Sequence, residues 1–143
     1  MTEIKIKIAK SKKELEQIYK ILEIVFIKGQ KVPRNIELDK HDKTAKHLIA
    51  AYKEKPIGCA RIRFVDGNAK LERIAVLKKY RGKGFGKIIV DYLIKYCKSK
   101  KINEIFMNAQ HYLKDYYKKF GFMPIGKPFM EAGIKHIKMN YQW

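Results

Sequence analysis

The stretch from residue 70 to residue 96 constrains the fold more than any other part of the sequence, because its hydrophobic period changes there. Residues 70–77, with Leu71, Ile74 and Val76, predict a strand, and residues 78–86 form a basic, glycine-rich loop. From Phe85 to Tyr96 apolar residues recur at helical spacing, which predicts an amphipathic helix of about four turns. A strand that continues into such a helix requires a sheet against which the helix can pack.

The N-terminal part of the chain predicts a strand followed by a helix. Apolar and polar residues alternate over residues 4–8, as in a half-buried strand. Ser11 and Glu14 have the spacing of a capping box, which marks the start of a helix. Gly29 and Pro33 are expected to end this helix, and residues 30–45 are polar and irregular.

The remaining segments predict a meander and a closing pair of strands. Strands at 48–52 and 57–65 form a hairpin, and Asp66-Gly67-Asn68 turns the chain into strand 70–77. The last elements are a strand at 102–108, a helix at 112–120, and strands at 122–125 and 134–139. We therefore expect an α/β (α+β) chain with a central mixed, mostly antiparallel sheet and helices on both faces.

Length and composition favour one globular domain over residues 1–143. The N-terminus lacks the pattern of a signal peptide, and no apolar run approaches the 18 or so residues of a membrane span. Two cysteines, Cys59 and Cys97, cannot build a disulfide framework, so we expect a reducing, cytoplasmic location. No repeat or low-complexity tract is present.

The net charge of +19 favours polyanions in general, but its distribution argues against a nucleic-acid-binding protein. The chain has 28 Lys and only 5 Arg, and the lysines are spread over its whole length. Proteins that recognise specific bases, or that bind phosphates through two parallel hydrogen bonds, rely on Arg. Most of this charge is therefore interpreted as a solvated surface.

The glycine-rich loop has the composition of an anion-binding site. Between strand and helix stands Tyr80-Arg81-Gly82-Lys83-Gly84-Phe85-Gly86-Lys87. Backbone N–H groups and the helix dipole favour an anion at such a helix start, and Arg81, Lys83 and Lys87 add mobile positive charge. The loop lacks the residues of a Walker loop and the third glycine of a dinucleotide fingerprint.

One pattern does fit the loop, namely Arg-x-x-Gly-x-Gly at Arg81, Gly84 and Gly86, which resembles the pyrophosphate loop of the GNAT N-acetyltransferases. The same family resembles this chain in three further places: Leu71-Glu72-Arg73-Ile74-Ala75-Val76, Asn108, and Tyr116-Tyr117-Lys118-Lys119-Phe120-Gly121-Phe122. The resemblance extends over about residues 3–140 and implies the GNAT acyl-CoA N-acyltransferase fold, with acetyl-CoA as co-substrate.

Finer features resemble the ElaA-like branch of that family. They are Val25-Phe26-Ile27, Gln30-Lys31-Val32-Pro33, Asn108-Ala109-Gln110 and Ala132-Gly133-Ile134-Lys135-His136. Two positions depart from the branch, which usually has Arg near Leu22 and Glu near Gly29. Both positions face the acceptor region in the family, so the resemblance does not carry over an acceptor.

The resemblance implies which residues bind the co-substrate. The backbone of Ile74, Ala75 and Val76 would hydrogen-bond the pantetheine arm, and the Val76 N–H would point at the thioester carbonyl. Asn108 would also contact the pantetheine. The phosphates would meet the loop and one lysine beyond it: Arg81, Gly82, Lys83, Gly84, Phe85, Gly86, Lys87 and Lys119.

The same resemblance suggests two catalytic side chains, each with a simpler alternative. Glu72 is the candidate general base, or else a surface carboxylate paired with lysines. Tyr117 is the candidate general acid for the coenzyme thiolate, or else a core aromatic of the face formed by Tyr112, Tyr116 and Phe120. Its position one residue off that stripe favours the role in catalysis. His136 is a candidate acceptor-site residue.

No metal site is expected, because the four histidines and two cysteines lack ligand spacing: His41, His47, His111, His136, Cys59 and Cys97. The resemblance implies an acyltransferase that transfers acetyl from acetyl-CoA to a primary amine of a small molecule or protein. Because the sequence shows no activated nucleophile, we expect direct attack without a covalent enzyme intermediate. The alternative is a non-catalytic CoA-binding or basic nucleic-acid- or ribosome-associated module of the same fold. A homodimer is compatible with the resemblance, and the positive surface favours an acidic or neutral acceptor over a polyamine.

Overall fold

Strands dominate the computed structural model, which describes residues 4–30 and 44–143. The strands are β1 (Ile4–Ile8), β2 (Lys46–Tyr52), β3 (Lys55–Val65), β4 (Asn68–Val76), β5 (Ile105–Gln110), β6 (Phe122–Glu131) and β7 (Ile134–Tyr141). The α-helices are α1 (Lys12–Leu22), α2 (Phe85–Lys98) and α3 (Lys114–Lys118). A π-helical turn, Glu23–Lys28, prolongs α1, and 3-10 turns occupy Lys78–Tyr80 and His111–Leu113.

The strands form one sheet in the order β1-β2-β3-β4-β5-β7-β6. Neighbouring strands are antiparallel, except that β4 and β5 run parallel. This confirms the predicted mixed, mostly antiparallel sheet. The parallel pair is short, since only Ala69–Leu71 of β4 pairs with residues 105–107 of β5. Beyond that point the two central strands diverge and leave a gap in the middle of the sheet.

Helix α1 covers one face of the sheet. The predicted capping box starts it, because the Ser11 side chain accepts from the Glu14 N–H and the Glu14 carboxylate accepts from the Ser11 N–H. Its apolar side buries Ile18 and Leu22 against residues such as Cys59 and Ala75 of the sheet. Burial of one such side chain stabilises the fold by about 1.5–3 kcal/mol.

Helix α2 covers the opposite face and packs on the larger core. Ile89 and Leu93 are fully buried there together with Ile62 of β3 and Ile105 of β5. The change of hydrophobic period between residues 70 and 96 thus corresponds to β4 and α2. As predicted, the sheet carries a helix on each face. Cys59 and Cys97 lie in the two different cores, on opposite sides of the sheet.

Several predicted boundaries were wrong. The helix expected at 112–120 is reduced to Lys114–Lys118, and Tyr112, expected on a buried stripe, is 70% exposed. The strand expected to end at Ile125 continues to Glu131. Its pairing with β7 shifts register between Ile125 and Phe129, and this irregularity accommodates Gly126 and Pro128 within the strand. The strand expected at 102–108 is Ile105–Gln110.

Helical structure after α1 ends at Lys28 with Gly29 as its cap, as predicted. Pro33, His41, most of the irregular segment 30–45 and the motif residues 31–33 lie outside the described residues. In the parts of the chain that the structure covers, no helix has the length and apolar character needed to cross a lipid bilayer.

Candidate active site

The divergence of β4 from β5 opens a cleft of about 1100 Å³ across the middle of the sheet. A bulge in β4 contributes to it: Cys59 pairs with Ala75 and Arg61 with Glu72, so β4 has one residue more than β3 in this interval. Arg73 takes a φ of +54° within the bulge. Bulges of this kind bend a strand and re-aim its residues. The backbone of Ile74, Ala75 and Val76 therefore lies along the cleft wall.

The glycine loop forms one end of the cleft. Gly82 and Gly84 have φ near +76° and +83°, and a Cβ added at either position would meet nothing within 4 Å. Gly84 is the N-cap of α2 and has no side chain to cap it. The N–H groups of the first helical turn thus face open space, at the positive end of the helix dipole. An open cradle of this kind can accommodate an anionic group such as a phosphate.

Two contacts fix the loop to the rest of the fold. The Nε of Arg81 donates a hydrogen bond of 2.8 Å to the carbonyl oxygen of Val76, which ties the loop to the end of β4. The ring of Phe85 lies 5.0 Å from that of Tyr52 and 6.4 Å from that of Tyr80. Phe85 is 7% exposed, so its ring anchors the loop to the core.

Nine of the twelve residues predicted to bind the co-substrate line the cleft. They are Ile74, Ala75, Val76, Arg81, Gly82, Gly84, Gly86, Lys87 and Asn108. The other three do not line it. The Lys83 side chain is exposed, the Phe85 ring faces the core, and Lys119 borders a smaller depression of about 320 Å³ that it shares with Lys87.

Tyr117 lines the cleft and belongs to the core as well. It is 6% exposed and packs edge-on against Tyr116 and Phe122. Burial raises the pKa of Tyr117 above that of an ordinary tyrosine, and the neighbouring Tyr116 raises it further. The phenol therefore keeps its proton throughout the neutral range. The sequence interpretation that separated Tyr117 from the core stripe was wrong, since Tyr117 is the tyrosine of this helix that is most deeply buried.

Tyr116 is a cleft residue that the sequence did not single out for chemistry. A Cβ added to Gly86 would lie 2.8 Å from its hydroxyl, so the missing side chain of Gly86 is what lets this phenol reach the loop. Burial also raises the pKa of Tyr116, with a smaller contribution from Asp91.

Glu72 projects into the cleft among three cations. Its Oε1 accepts from the Nε and Nη2 of Arg61 at 3.1 and 2.9 Å. Its Oε2 lies 3.3 Å from the Nζ of Lys70, and the Nε of Arg63 is 3.7 Å from Oε1. A carboxylate has about four lone-pair sites. Three are engaged by Arg61 and Lys70, which leaves one on Oε2.

The end of the cleft opposite the loop is closed by side-chain contacts. Gln30, two residues beyond the π-helical turn, and Gln110, at the end of β5, exchange two amide hydrogen bonds of 3.1 and 2.8 Å. His136 lies at the same end, where its Nδ1 is 2.7 Å from the Ile134 carbonyl oxygen and its Nε2 is 3.6 Å from Glu131. Phe129 stacks on its ring at 6.0 Å.

Sequence reasoning missed the cations and the glutamine pair at this end. A signal for the cations was present, because Arg61-Ile62-Arg63 and Lys70-Leu71-Glu72 alternate charged with buried residues. Alternation in a strand puts the charged residues on one face. Within residues 4–30 and 44–143, no group of three or more His, Cys, Asp or Glu side chains is arranged to hold a metal ion.

A mixed sheet that opens between parallel central strands, beside a glycine loop at a helix start, defines the architecture of the acyl-CoA acyltransferases. The model of the acetyltransferase (GNAT) domain matches residues 8–143. The chain belongs to this family, and it is an acetyltransferase of the kind that uses acetyl-CoA.

Relatives and solved structures agree with that assignment. The chain is 38% identical over 133 residues to a *Bacillus subtilis* (strain 168) protein named uncharacterized N-acetyltransferase YjcF, covering 92% of this chain and 95% of the relative. The crystal structure of *Escherichia coli* ElaA superposes with a TM-score of 0.86 at 22% identity, over 99% of this chain and 100% of that one. This similarity confirms the predicted ElaA-like resemblance at the level of the fold.

A third neighbour was solved with a ligand. It is a GNAT family acetyltransferase from *Elizabethkingia anophelis* with acetyl-CoA bound, with a TM-score of 0.77 at 18% identity, over 99% of each chain.

Proposed function

We propose that the chain transfers the acetyl group of acetyl-CoA to a primary amine by direct attack. The observation that carries the proposal is the continuity of one cleft, which runs from the glycine loop, past the exposed backbone of β4 and Tyr117, to a separate polar end. A cleft whose two ends differ in chemistry allows two different substrates to meet between them. No activated nucleophile stands there for a covalent intermediate, among the described lining residues.

The co-substrate would be held chiefly by main chain. We assign the diphosphate to the N–H groups of Gly82–Gly86 with Arg81 and Lys87, and the pantetheine to the backbone of Ile74–Val76 and to Asn108. Lys83 and Lys119 are assigned to the nucleotide phosphates as mobile cations. A backbone N–H preorganised at a reacting carbonyl, the role proposed for Val76, is worth about 2.7–4 kcal/mol in a transition state.

Tyr117 is the proposed proton donor. As the amine nitrogen bonds to the acetyl carbon, the carbon–sulfur bond breaks and the sulfur leaves as a thiolate that needs a proton. A buried phenol with a raised pKa stays protonated and can hydrogen-bond the sulfur at any pH at which the protein works.

Glu72 is the proposed acceptor of the proton that the amine loses. The one lone-pair site left on its Oε2 supports this role, acting directly or through a water. In the competing role, Glu72 takes no part in the reaction and only stabilises the fold through a buried ion pair. Breaking a buried ion pair by removing one partner is strongly destabilising. Arg61, at 3% exposed, is the buried partner of Glu72 in that pair.

Thermal unfolding with and without acetyl-CoA, combined with thiol release across a panel of amines, tests the proposal. Ligand at 100 times its dissociation constant should stabilise the protein by about 2.7 kcal/mol. Absence of a shift at millimolar acetyl-CoA would refute the proposal. A shift without thiol release from any amine would favour the non-catalytic coenzyme-binding module.

Two further assignments remain proposals. The burial of both cysteines is consistent with a cytoplasmic location. A homodimer is supported by the edge strand β6, which exposes Met123, Ile125 and Met130. Exposed apolar side chains on an unpaired strand edge are typical of an interaction surface, and light scattering on the purified protein measures the state directly.

A further inference from the structure

We infer that Tyr116 is a further coenzyme-binding residue, whose hydroxyl donates a hydrogen bond to the diphosphate at the glycine loop, and that Gly86 is the residue that makes room for this hydroxyl. The inference rests on the proposed function, which assigns the diphosphate to the N–H groups of the loop. It adds one side-chain donor to a site otherwise made of main chain and mobile cations.

The backbone of Gly86 does not itself require a glycine. Gly86 lies in the first turn of α2, and its φ is outside the positive range that Gly82 and Gly84 occupy. Any residue can adopt such a backbone, and alanine is more favourable than glycine inside a helix. The reason for a glycine at this position therefore lies in the space around it.

That space belongs to the hydroxyl of Tyr116. A Cβ added to Gly86 would lie 2.8 Å from the hydroxyl oxygen, and the next atom, Cζ of the same ring, would be 3.9 Å away. In the described parts of the chain, and apart from α2 itself and the neighbouring residues, no other atom lies within 4 Å of that Cβ. An alanine at position 86 would thus displace the hydroxyl alone.

The oxygen of Tyr116 is not needed to pack its ring. The ring lies edge-on to Tyr117 and to Phe120, with both centroids at 5.2 Å, and a phenylalanine would pack in the same way. Within residues 4–30 and 44–143 the hydroxyl forms no hydrogen bond. Burial and the nearby Asp91 raise the pKa of Tyr116, so the phenol keeps its proton in the neutral range and can donate it.

The position of Tyr116 favours an anion as the acceptor of that hydrogen bond. Tyr116 lines the cleft beside the loop and also the smaller depression next to it, and Lys87 lines both. Lys119 borders the depression as well, so its two lysines outnumber the one carboxylate, Asp91. A phenol beside the free N–H groups of a helix start can share a phosphate with them, and hydrogen bonds to an ionised acceptor are the stronger kind.

Tyr116→Phe removes the hydroxyl and keeps the ring. We expect the dissociation constant of acetyl-CoA, measured by calorimetric titration, to rise by about tenfold or more, as for a lost hydrogen bond to a charged group. Tyr96→Phe is the matched control, because the Tyr96 ring is also partly buried against the same core and lines neither cavity. It should bind acetyl-CoA as the wild type does.

Gly86→Ala tests the pairing of the two residues in a double-mutant cycle. In the wild-type background it should raise the dissociation constant by a factor similar to that of Tyr116→Phe, because the new methyl group displaces the hydroxyl. In the Tyr116→Phe background it should leave the dissociation constant unchanged, since Cζ is 3.9 Å from the added Cβ. There the alanine should also raise the unfolding temperature, through its helix propensity.

Phosphorus NMR of bound acetyl-CoA locates the hydrogen bond on the ligand. The two diphosphate resonances should shift between the wild-type and Tyr116→Phe complexes. The resonance of the 3′-phosphate should not shift, and it serves as the internal reference.

The outcomes separate the inference from the function on which it rests. Wild-type affinity in Tyr116→Phe overturns the inference, as do unchanged diphosphate resonances. Equal losses from Gly86→Ala in both backgrounds also overturn it, because the methyl group would then obstruct the ligand itself. If Gly84→Val binds acetyl-CoA normally as well, the loop assignment fails and the inference fails with it. If Gly84→Val loses acetyl-CoA while Tyr116→Phe does not, only the inference fails.

Discussion

The two ends of the cleft are built in different ways. The loop end is built from one short segment, residues 81–87, and offers a ligand mainly backbone N–H groups and the space left by missing side chains. The polar end uses side chains from β3, β4, β5 and β7 and from the turn after α1. Main-chain donors keep the same positions whatever the side chains are. An end made of main chain therefore accepts the same ligand shape in every chain with this fold. An end made of side chains can change its ligand by substitution, so acceptor identity is a property of the individual chain.

Gly84→Val should produce the largest effect. It should weaken binding of acetyl-CoA at the loop end and leave the polar end unchanged. The new side chain would project into the space proposed for phosphate, and we expect the dissociation constant of acetyl-CoA to rise by about 100-fold or more, comparable to losing two charge-assisted hydrogen bonds. Calorimetric titration measures it.

Gly126→Val is the matched control for backbone strain. Gly126 also has a positive φ, +75°, with nothing within 4 Å of an added Cβ, but it lies on β6 outside the cleft. Both variants should lose similar thermal stability, and only Gly84→Val should lose acetyl-CoA. Equal affinities in the two variants would contradict the role of the loop.

Tyr117→Phe probes the junction of the two ends. We expect kcat to fall by about 100-fold while acetyl-CoA still binds, because the ring is kept and only the proton donor is lost. Since burial raises the pKa of Tyr117, the wild-type phenol stays protonated well into alkaline pH. The loss should therefore be equal at about pH 7 and about pH 9.5.

Tyr92→Phe is the control for removal of a hydroxyl, since Tyr92 packs against the same core without lining the cleft. Its kcat should match that of the wild type. A Tyr117→Phe enzyme with wild-type kcat would remove Tyr117 from the chemistry and leave it as a core residue.

Glu72→Gln tests the polar end with a smaller expected effect. We expect kcat to fall by about tenfold, less than a typical general base contributes, because an amine can also lose its proton to water. Unfolding temperature is measured in parallel. A lower unfolding temperature with an unchanged kcat would assign Glu72 to the ion pair with Arg61 and exclude it as the base.

Gln110→Ala should have the smallest effect and act on the acceptor only. It removes both hydrogen bonds to Gln30, so we expect the KM of the acceptor to rise about three- to tenfold while the KM of acetyl-CoA stays the same. Gln30→Ala should reproduce this value, and the double variant should add little. Additive effects would mean that the two amides act separately.

The same contrast explains how far sequence alone could predict this protein. Ser11 and Glu14, the turn at Asp66-Gly67 and the glycine loop are local signals, and each was found where the sequence indicated it. The strand β6 was predicted too short, because Gly126 and Pro128 are typical of a loop unless a neighbouring strand accommodates them. Pairing with β7 is not encoded in the local pattern.

The polar end depends on such long-range pairing throughout. Arg63 and Lys70 become neighbours only through the β3–β4 register, and Gln30 meets Gln110 across 80 residues of sequence. Tyr117 illustrates the same limit, because helical periodicity beginning at Tyr112 assumed a longer helix than the 3-10 turn at His111–Leu113 permits. Sequence could name nine residues that line the cleft and could not assemble its polar end.

The short ladder between β4 and β5 has a consequence for hydrogen exchange. Beyond Leu71 the facing edges of these strands have no partner strand, although both strands lie at the centre of the sheet. The Val76 carbonyl oxygen accepts from Arg81, but backbone N–H groups on these edges must bond to water or to a ligand. The amides on these edges should exchange rapidly, like those of an outer strand, and slow down when a ligand bridges the gap. The centre of this sheet should thus be its most responsive part, and the gap-facing amides of residues 72–76 should report occupancy by the proposed coenzyme without any acceptor.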